Sequence, residues 1–175
     1  SPVVSGILVS AALSSQTTNN YISDLRAPLA SSADAVRGVS FTSTTANSTH
    51  GLYYNTIYLN ATSVGANFGT SGVFHTSSTT VTTSALDMRN NIVVNMSIPN
   101  GTGVTAALRR SSATLNNFSA SSNYNLLFAG TPTANNVVYF NGTAVQTLAA
   151  YQAAVTPRDA ASISVMPTFV NIAAA

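Results

Sequence analysis

The chain has 175 residues, and six arginines and four aspartates supply all of its charge, giving a formal net charge of +2. It contains no cysteine, which excludes a disulfide framework and a cysteine-ligated zinc site. Because 45% of the residues are hydrophobic, the chain can bury a core despite its many serine, threonine and asparagine residues, and we do not expect disorder.

The first predicted element is the apolar segment Val3–Val9. No basic residues precede it, which argues against the core of a signal peptide. Its Gly6-Ile7 pair recurs as Gly38-Val39 and Gly72-Val73. We therefore predict that this segment is a strand, and that one inward-facing column contains Ile7, Val39 and Val73.

An asparagine recurs every 35 residues, at Asn20, Asn55, Asn90 and Asn125. A period of this size indicates one structural unit that is repeated and stacked. A large aliphatic residue stands two positions after each asparagine. We expect these residues to form a second inward-facing column, and they are Ile22, Ile57, Ile92 and Leu127.

Short runs of strand-forming residues flank these asparagines, as in Leu52–Tyr54 before Asn55 and Thr56–Leu59 after it. Asparagine tolerates a left-handed backbone better than other non-glycine residues, so it suits a sharp corner between two strands. If the corners stack about 4.8 Å apart, the side-chain amides can hydrogen-bond along the column as a ladder. We expect the segments Ser63–Gly72 and Pro99–Val104 to be protruding loops.

These repeats resemble the right-handed parallel β-helix of the pectin-lyase type, which carries an asparagine ladder at one corner. Three segments are more narrowly similar to the β-helix repeats of large secreted bacterial surface proteins, namely Tyr54–Leu59, Leu86–Ile92 and Ser122–Asn125. The resemblance implies an all-β, right-handed parallel β-helix of four to five coils, each about 35 residues long. It also implies an extracellular or cell-surface location.

The C-terminal part is similar to a segment that closes such helices. In Val138–Asn171 a short helix over Leu148–Gln152 is followed by Asp159, by Ser162-Ile163 and by Pro167–Asn171. We therefore divide the chain into stacked coils over residues 1–130 and a closing segment of the same domain over residues 131–175. The sequence departs from the family pattern at Tyr151, where a tryptophan is common.

The charged residues do not favour an enzyme. A glycoside hydrolase needs two converging carboxylates, and the repeat brings together no pair among Asp24, Asp34, Asp87 and Asp159. Asp24 and Arg26, like Asp87 and Arg89, stand two positions apart and indicate local surface ion pairs. We expect no catalytic residues.

The basic residues and the histidines do not indicate a nucleic-acid or metal partner. Arg109-Arg110 is the only adjacent basic pair and no aromatic residues alternate with it, so we expect no nucleic acid. His50 and His75 lack nearby carboxylates, and we expect loop histidines, no metal and no cofactor. No apolar run reaches the roughly 18 residues that would span a membrane.

Aromatic side chains and chain ends are the candidate contact surfaces. Strand alternation predicts that Tyr58 and Phe128 face outward, where they would mark a protein or sugar interface or pack in a neighbouring layer. The edges expected at Gly6–Val9 and Phe169–Asn171 would be unpaired unless covered. We predict that identical subunits or flanking domains cover both end rungs.

The sequence favours a non-enzymatic structural or adhesive module of a surface protein or filament, with a polysaccharide-binding or polysaccharide-degrading protein as the alternative.

Overall fold

A computed structural model describes residues 3–169, which form thirteen strands and one helix. The strands belong to three sheets that run along the sides of a parallel β-solenoid of about four coils, as predicted. Sheet A consists of β1 (Val4–Val9), β4 (Ser32–Phe41), β7 (Phe68–His75), β10 (Thr105–Arg110), β12 (Asn136–Phe140) and β13 (Ala144–Val145). Sheet B consists of β2 (Ser14–Thr18), β5 (Thr49–Tyr53) and β8 (Ala85–Arg89). Sheet C consists of β3 (Tyr21–Ile22), β6 (Thr56–Leu59), β9 (Ile92–Asn95) and β11 (Leu126–Phe128).

Neighbouring strands in each sheet come from successive coils and pair in parallel, with one exception. The exception is β13, which pairs antiparallel with β12 and ends sheet A. β12 itself pairs in parallel with β10, so the segment predicted to close the domain begins with a further rung of sheet A. The helix α1 (Leu148–Val155) follows. Thr147 is its N-cap residue, and the Thr147 side chain accepts a hydrogen bond from the main-chain nitrogen of Ala150.

Columns of aliphatic side chains fill the interior. The predicted sheet A column is confirmed and is longer than expected, since the strand register aligns Ile7, Val39, Val73, Leu108 and Tyr139. The sheet C column contains Ile22, Ile57, Val93 and Leu127. The prediction of Ile92 in this column was wrong, because Ile92 aligns with Thr56 one position out of register.

The recurring glycines mark the place where sheets A and C come closest. A Cβ added to Gly38 would lie 2.4 Å from Cγ2 of Ile57, and one added to Gly72 would lie 2.3 Å from Cγ1 of Val93. Side chains at these positions would therefore collide with the sheet C column. The glycines before Ile7, Val39 and Val73 thus make room for the opposite wall of the solenoid.

An asparagine ladder runs along the corner between sheets B and C, but one of its predicted members was wrong. The Nδ2 atoms of Asn20, Asn55 and Asn91 each donate to Oδ1 of the next ladder residue, at 2.9–3.0 Å, and the series reaches Asn125. Asn91 is therefore the third ladder residue in place of Asn90. The spacing along the chain is 35, 36 and 34 residues.

The left-handed corner conformation belongs to the residue before each ladder asparagine. Asn19, Tyr54, Asn90 and Tyr124 have φ between 56° and 59°. Asn90 thus takes the corner position while its side chain stays exposed. The expectation that the ladder asparagines themselves adopt the left-handed conformation was wrong.

Several predicted loop and surface positions lie elsewhere. The second half of Ser63–Gly72 belongs to β7, and His50 and His75 are buried strand residues of β5 and β7. Tyr58 is buried and Phe128 is half-buried, so of the two alternatives left open for them the structure favours packing over an exposed interface. Their outward direction is consistent with the alternation of the strands, and the ring of Phe169 packs against Tyr58.

The chain after Ile163 covers part of sheet C. Ile163 forms a bridge to Leu126, and six residues later the ring of Phe169 packs at 5.3 Å from the ring of Tyr58 in the second coil. We call residues 164–169 the strap. Phe169 therefore lies on the side of the solenoid and not at an end rung, while Val170 and Asn171 lie outside the described residues.

The ladder assignment predicts that substitutions of two adjacent asparagines change the free energy of unfolding by different amounts. Asn91→Ala removes a buried amide that both accepts and donates ladder bonds, so the free energy of unfolding should fall by about 2–4 kcal/mol. Asn90→Gly keeps the left-handed backbone and should change it by no more than about 0.5 kcal/mol. Urea unfolding of both variants is the measurement, and equal losses would contradict the assignment.

Candidate functional site

The C-terminal end of the solenoid is closed by the chain itself. Nδ2 of Asn125 donates to Oδ1 of the buried Asp159, which lies 34 residues later and so occupies the next ladder position. The hydroxyl of Ser162 donates to the same oxygen, and the hydroxyl of Tyr151 donates to Oδ2, each at 2.5 Å. A carboxylate has no N–H to offer, so the ladder ends at Asp159.

Helix α1 and Arg158 complete this cap. Tyr151 and Val155 are the buried residues of the helix, and the ring of Tyr151 lies 5.0 Å from that of Tyr139 at the end of the sheet A column. Arg158 donates to the main-chain oxygens of Phe118 and Leu115. Burial raises the pKa of Asp159 and of Tyr151, so the hydroxyl keeps its proton and donates. At this end the chain's own closing segment provides the cover that was predicted to come from identical subunits or flanking domains.

The N-terminal end has no comparable cover among the described residues. β1, β2 and β3 are the terminal strands of sheets A, B and C, so all three sheets end in the same coil. Ile7 is half-buried, whereas its neighbours in the column, Val39 and Val73, are fully buried. This end therefore offers unpaired strand edges around an apolar centre, which is the property of a surface that adds strands.

The four aspartates all make structural contacts. Asp24 pairs with Arg26 at 2.5 Å on the surface, and Asp159 ends the ladder. Asp34 accepts from Arg37 at 2.8 Å and from Ser71 at 2.6 Å, while Arg109 lies 3.5 Å away. The fourth, Asp87, forms the predicted ion pair with Arg89. Each carboxylate is thus neutralised or hydrogen-bonded within the fold.

Asp87 also belongs to a polar surface on the outside of sheet B. Its Oδ2 accepts from the hydroxyl of Tyr53 at 3.0 Å, and Nε of Arg89 lies 3.0 Å from both carboxylate oxygens. The ring of Tyr53 lies over Gly51, where an added Cβ would be 2.4 Å from Cε2 of that ring. Burial and the neighbouring Asp87 raise the pKa of Tyr53.

Two shallow depressions share the Tyr53 ring, and each has a volume of about 300 Å³. Gln16, Gly51 and Asp87 line the first, while Tyr54 and Arg89 line the second. Sequence reasoning missed this surface. A tyrosine two residues after a glycine in an outward-facing strand register was the signal that could have indicated it.

The adjacent arginines point to opposite sides of β10. Arg109 donates to Ser71 on the outside of sheet A and lies 4.5 Å from the ring centre of Phe140. Arg110 is only 1% exposed and donates to Nδ1 of His75 at 2.9 Å in the interior. Neither guanidinium forms part of an exposed basic surface.

The His75 imidazole is held in its neutral form. Nε2 donates to the main-chain oxygen of Ser84 at 2.8 Å, which leaves Nδ1 as the acceptor for Arg110. Burial and the charge of Arg110 lower the pKa of His75 to about 3, and burial lowers the pKa of Arg110 to about 10. A proton on Nδ1 would face a guanidinium N–H and lose this hydrogen bond.

Within residues 3–169, no three metal-ligating side chains of the His, Cys, Asp or Glu type group together as a metal site would require. The helix in this range is too short to cross a membrane.

Comparison of the chain with protein-family models, with curated proteins and with solved structures found no match. The resemblance to pectin-lyase-type helices and to secreted surface proteins therefore stays a prediction. Within residues 3–169, the fold and its contacts define a parallel β-solenoid with one closed end and one end at which the strand edges are unpaired.

The buried His75 predicts that stability falls with acidity. Unfolded His75 takes up a proton near pH 6.5, whereas the folded group resists protonation down to about pH 3. Between these values the unfolded state binds more protons, so this residue lowers the free energy of unfolding by up to about 1.4 kcal/mol per pH unit as the pH falls. In the His75→Gln variant, the free energy of unfolding measured in urea should fall less steeply between pH 7 and pH 4 than in the parent protein. Parallel profiles for the two proteins would contradict the prediction.

Proposed function

We propose that this chain is a non-enzymatic structural module that closes one end of a β-helical stack in an extracellular surface protein or filament. The observation that carries the proposal is the difference between the two ends. One end is sealed by Asp159, Tyr151 and α1, while the other presents three strand edges. Such asymmetry suits a terminal piece of a longer stack, since repeat folds need caps only where stacking stops.

The charge distribution supports the same role. Every aspartate forms an ion pair or a hydrogen bond within the fold, and Arg109 and Arg110 are buried. A surface with few free charges puts little electrostatic repulsion in the way of close packing against another protein surface. The extracellular location is inferred from the resemblance to secreted bacterial surface proteins.

The closed end changes the expected mode of assembly. Head-to-tail addition of identical copies would need an exposed rung at both ends, and α1 covers one of them. The filament in this proposal is therefore built from stacked coils of which this chain is the last, and not from repeated copies of the chain.

Two measurements on the purified chain test the proposal. Incubation with neutral and acidic polysaccharides should release no reducing ends and no unsaturated products. Light scattering at rising protein concentration should show species of limited size, because the cap blocks continuous growth. Sustained product release would overturn the non-enzymatic assignment, and open-ended growth into filaments would overturn the role of the cap.

The surface around Tyr53 supports a second function, the binding of a neutral glycan. An aromatic ring between two depressions offers a stacking platform, and the paired Asp87 and Arg89 offer hydrogen-bond acceptors and donors without net charge. This function is compatible with an adhesive module that has no catalytic residues.

For this second function we expect Tyr53→Ala to weaken oligosaccharide binding by at least about tenfold, which corresponds to about 1.4 kcal/mol. Tyr21→Ala is the matched control, because Tyr21 is an exposed tyrosine on sheet C. Calorimetric titration with neutral oligosaccharides is the measurement. Equal binding by the two variants would exclude the Tyr53 surface as the site.

A further inference from the structure

The ladder has a direction, and the direction repeats at every rung. In each coil the main-chain nitrogen of the ladder asparagine donates to Oδ1 of the next one, as Asn20 does to Asn55 and Asn55 to Asn91. Nδ2 donates to the same oxygen. In these bonds the N–H donors therefore point toward the C-terminal end and the Oδ1 acceptors toward the N-terminal end.

A second bond of the ladder points back toward the preceding coil. Nδ2 of Asn55 donates to the main-chain oxygen of Thr17, three residues before Asn20. Nδ2 of Asn91 reaches Leu52 and Nδ2 of Asn125 reaches Met88 in the same way. Each ladder asparagine thus uses one carbonyl oxygen and two N–H donors of the coil before it.

Asn20 lacks these partners among the described residues. Its nitrogen atoms donate to Asn55 and to the oxygen of Thr18, but no group in residues 3–169 donates to its Oδ1. At the opposite end the equivalent groups of Asn125 and Ser122 have partners. Nδ2 of Asn125 donates to Oδ1 of Asp159, the main-chain nitrogen of Asn125 donates to Oγ of Ser162, and the main-chain nitrogen of Asp159 donates to the oxygen of Ser122. The unpaired acceptor at Asn20 coincides with the three unpaired strand edges.

This direction restricts what can cover the open end. A second copy turned by a two-fold axis would bring its own Asn20 acceptor against this one, so the ladders would not join. A second copy in the same direction would present its closed end, where the side chain of Asp159 carries no N–H donor, its main-chain N–H is already bonded to Ser122, and α1 covers the rung. Only the donor side of an uncapped coil supplies the missing groups.

We infer that the open N-terminal rung binds the donor side of another parallel β-helical coil, whose ladder asparagine donates through its main-chain N–H and Nδ2 to Oδ1 of Asn20. The inference rests on the proposed function and names its partner as a coil of the same ladder type. The same contact would bury Ile7 and extend the columns of sheets A and C.

An added coil made from the chain itself tests this. A copy of residues 36–69 is placed directly before Val4, replacing residues 1–3. The register supports this junction, because Val36 pairs with Thr70 in one step of sheet A and Val4 pairs with Val36 in the step before. The copied Asn55 then lies in the ladder position before Asn20, and the rest of the chain is unchanged.

Compared with the parent, the extended chain should have a higher melting temperature. Its amides on the open side of β1, β2 and β3 should exchange hydrogen at least about tenfold more slowly, which corresponds to about 1.4 kcal/mol. Asn55→Asp in the added coil removes the Nδ2 donor and should reverse most of the gain. Asn60→Asp in the same coil is the matched control, since Asn60 is exposed and the charge change is the same.

Unchanged exchange in the extended chain would overturn the inference, as would equal effects of Asn55→Asp and Asn60→Asp in the added coil. A two-fold dimer of the parent chain that protects the same amides would also overturn it. These outcomes are independent of the polysaccharide assay on the parent chain, so a failure here is distinguishable from a failure of the non-enzymatic assignment.

Discussion

The hydrogen-bonded ladder at the corner between sheets B and C is the constraint on which the rest of the solenoid depends. The ladder amides of Asn55, Asn91 and Asn125 are buried and bond to the coils on both sides, so a coil out of register would leave polar groups unpaired in the interior. The ladder therefore holds the strands of all three sheets at one rung spacing. It does so while the loops between the strands vary in length. Stacked aliphatic columns provide burial, but they would tolerate a slip that the ladder does not.

The interior is more polar than a solenoid requires. His75 and Arg110 face inward beneath the aliphatic columns, and Arg110 has no carboxylate partner among the described residues. Its charge is instead shared among a histidine, an asparagine side chain and a carbonyl oxygen, with the ring of Phe118 5.1 Å away. Burying a charge in this way is costly unless the N–H groups find acceptors, and here Nη1 and Nη2 of Arg110 find them while its Nε has none among the described residues. The cluster therefore fixes one arrangement of the turn between β7 and β8, which supplies Ser84.

Much of the architecture could be predicted from the sequence, because the repeat consists of residue types that each suit one structural position. Asn55 and Asn125 have no asparagine next to them, and both were assigned to the ladder correctly. At Asn90-Asn91 two asparagines compete, one suited to the left-handed corner and one to the ladder, and a strict 35-residue period selects the wrong one. The structure adds one residue to that coil, which shifts Ile92 out of the core and brings Val93 in.

Long-range contacts were beyond the reach of the repeat pattern. The period predicts which way Tyr58 and Phe128 face, but it does not reveal that the chain returns over sheet C. It places Asp159 one period after Asn125. However, an aspartate at this position indicates the end of the ladder only if one knows that each ladder amide donates to the residue that follows it. The Tyr53 surface depends on contacts across coils that no local pattern shows.

The strap gives this repeat protein a form of cooperativity that simple stacks lack. In an ideal solenoid each coil contacts only its neighbours, and unfolding can begin at either end and proceed coil by coil. Here the segment that leaves the cap at Ile163 reaches Tyr58, two coils away from the last ladder asparagine. The cap and the second, third and fourth coils are thus joined into one loop of contacts, and the C-terminal end cannot fray without releasing Phe169 from the second coil. Among residues 3–169 the first coil lies outside that loop, so it can open without releasing these contacts.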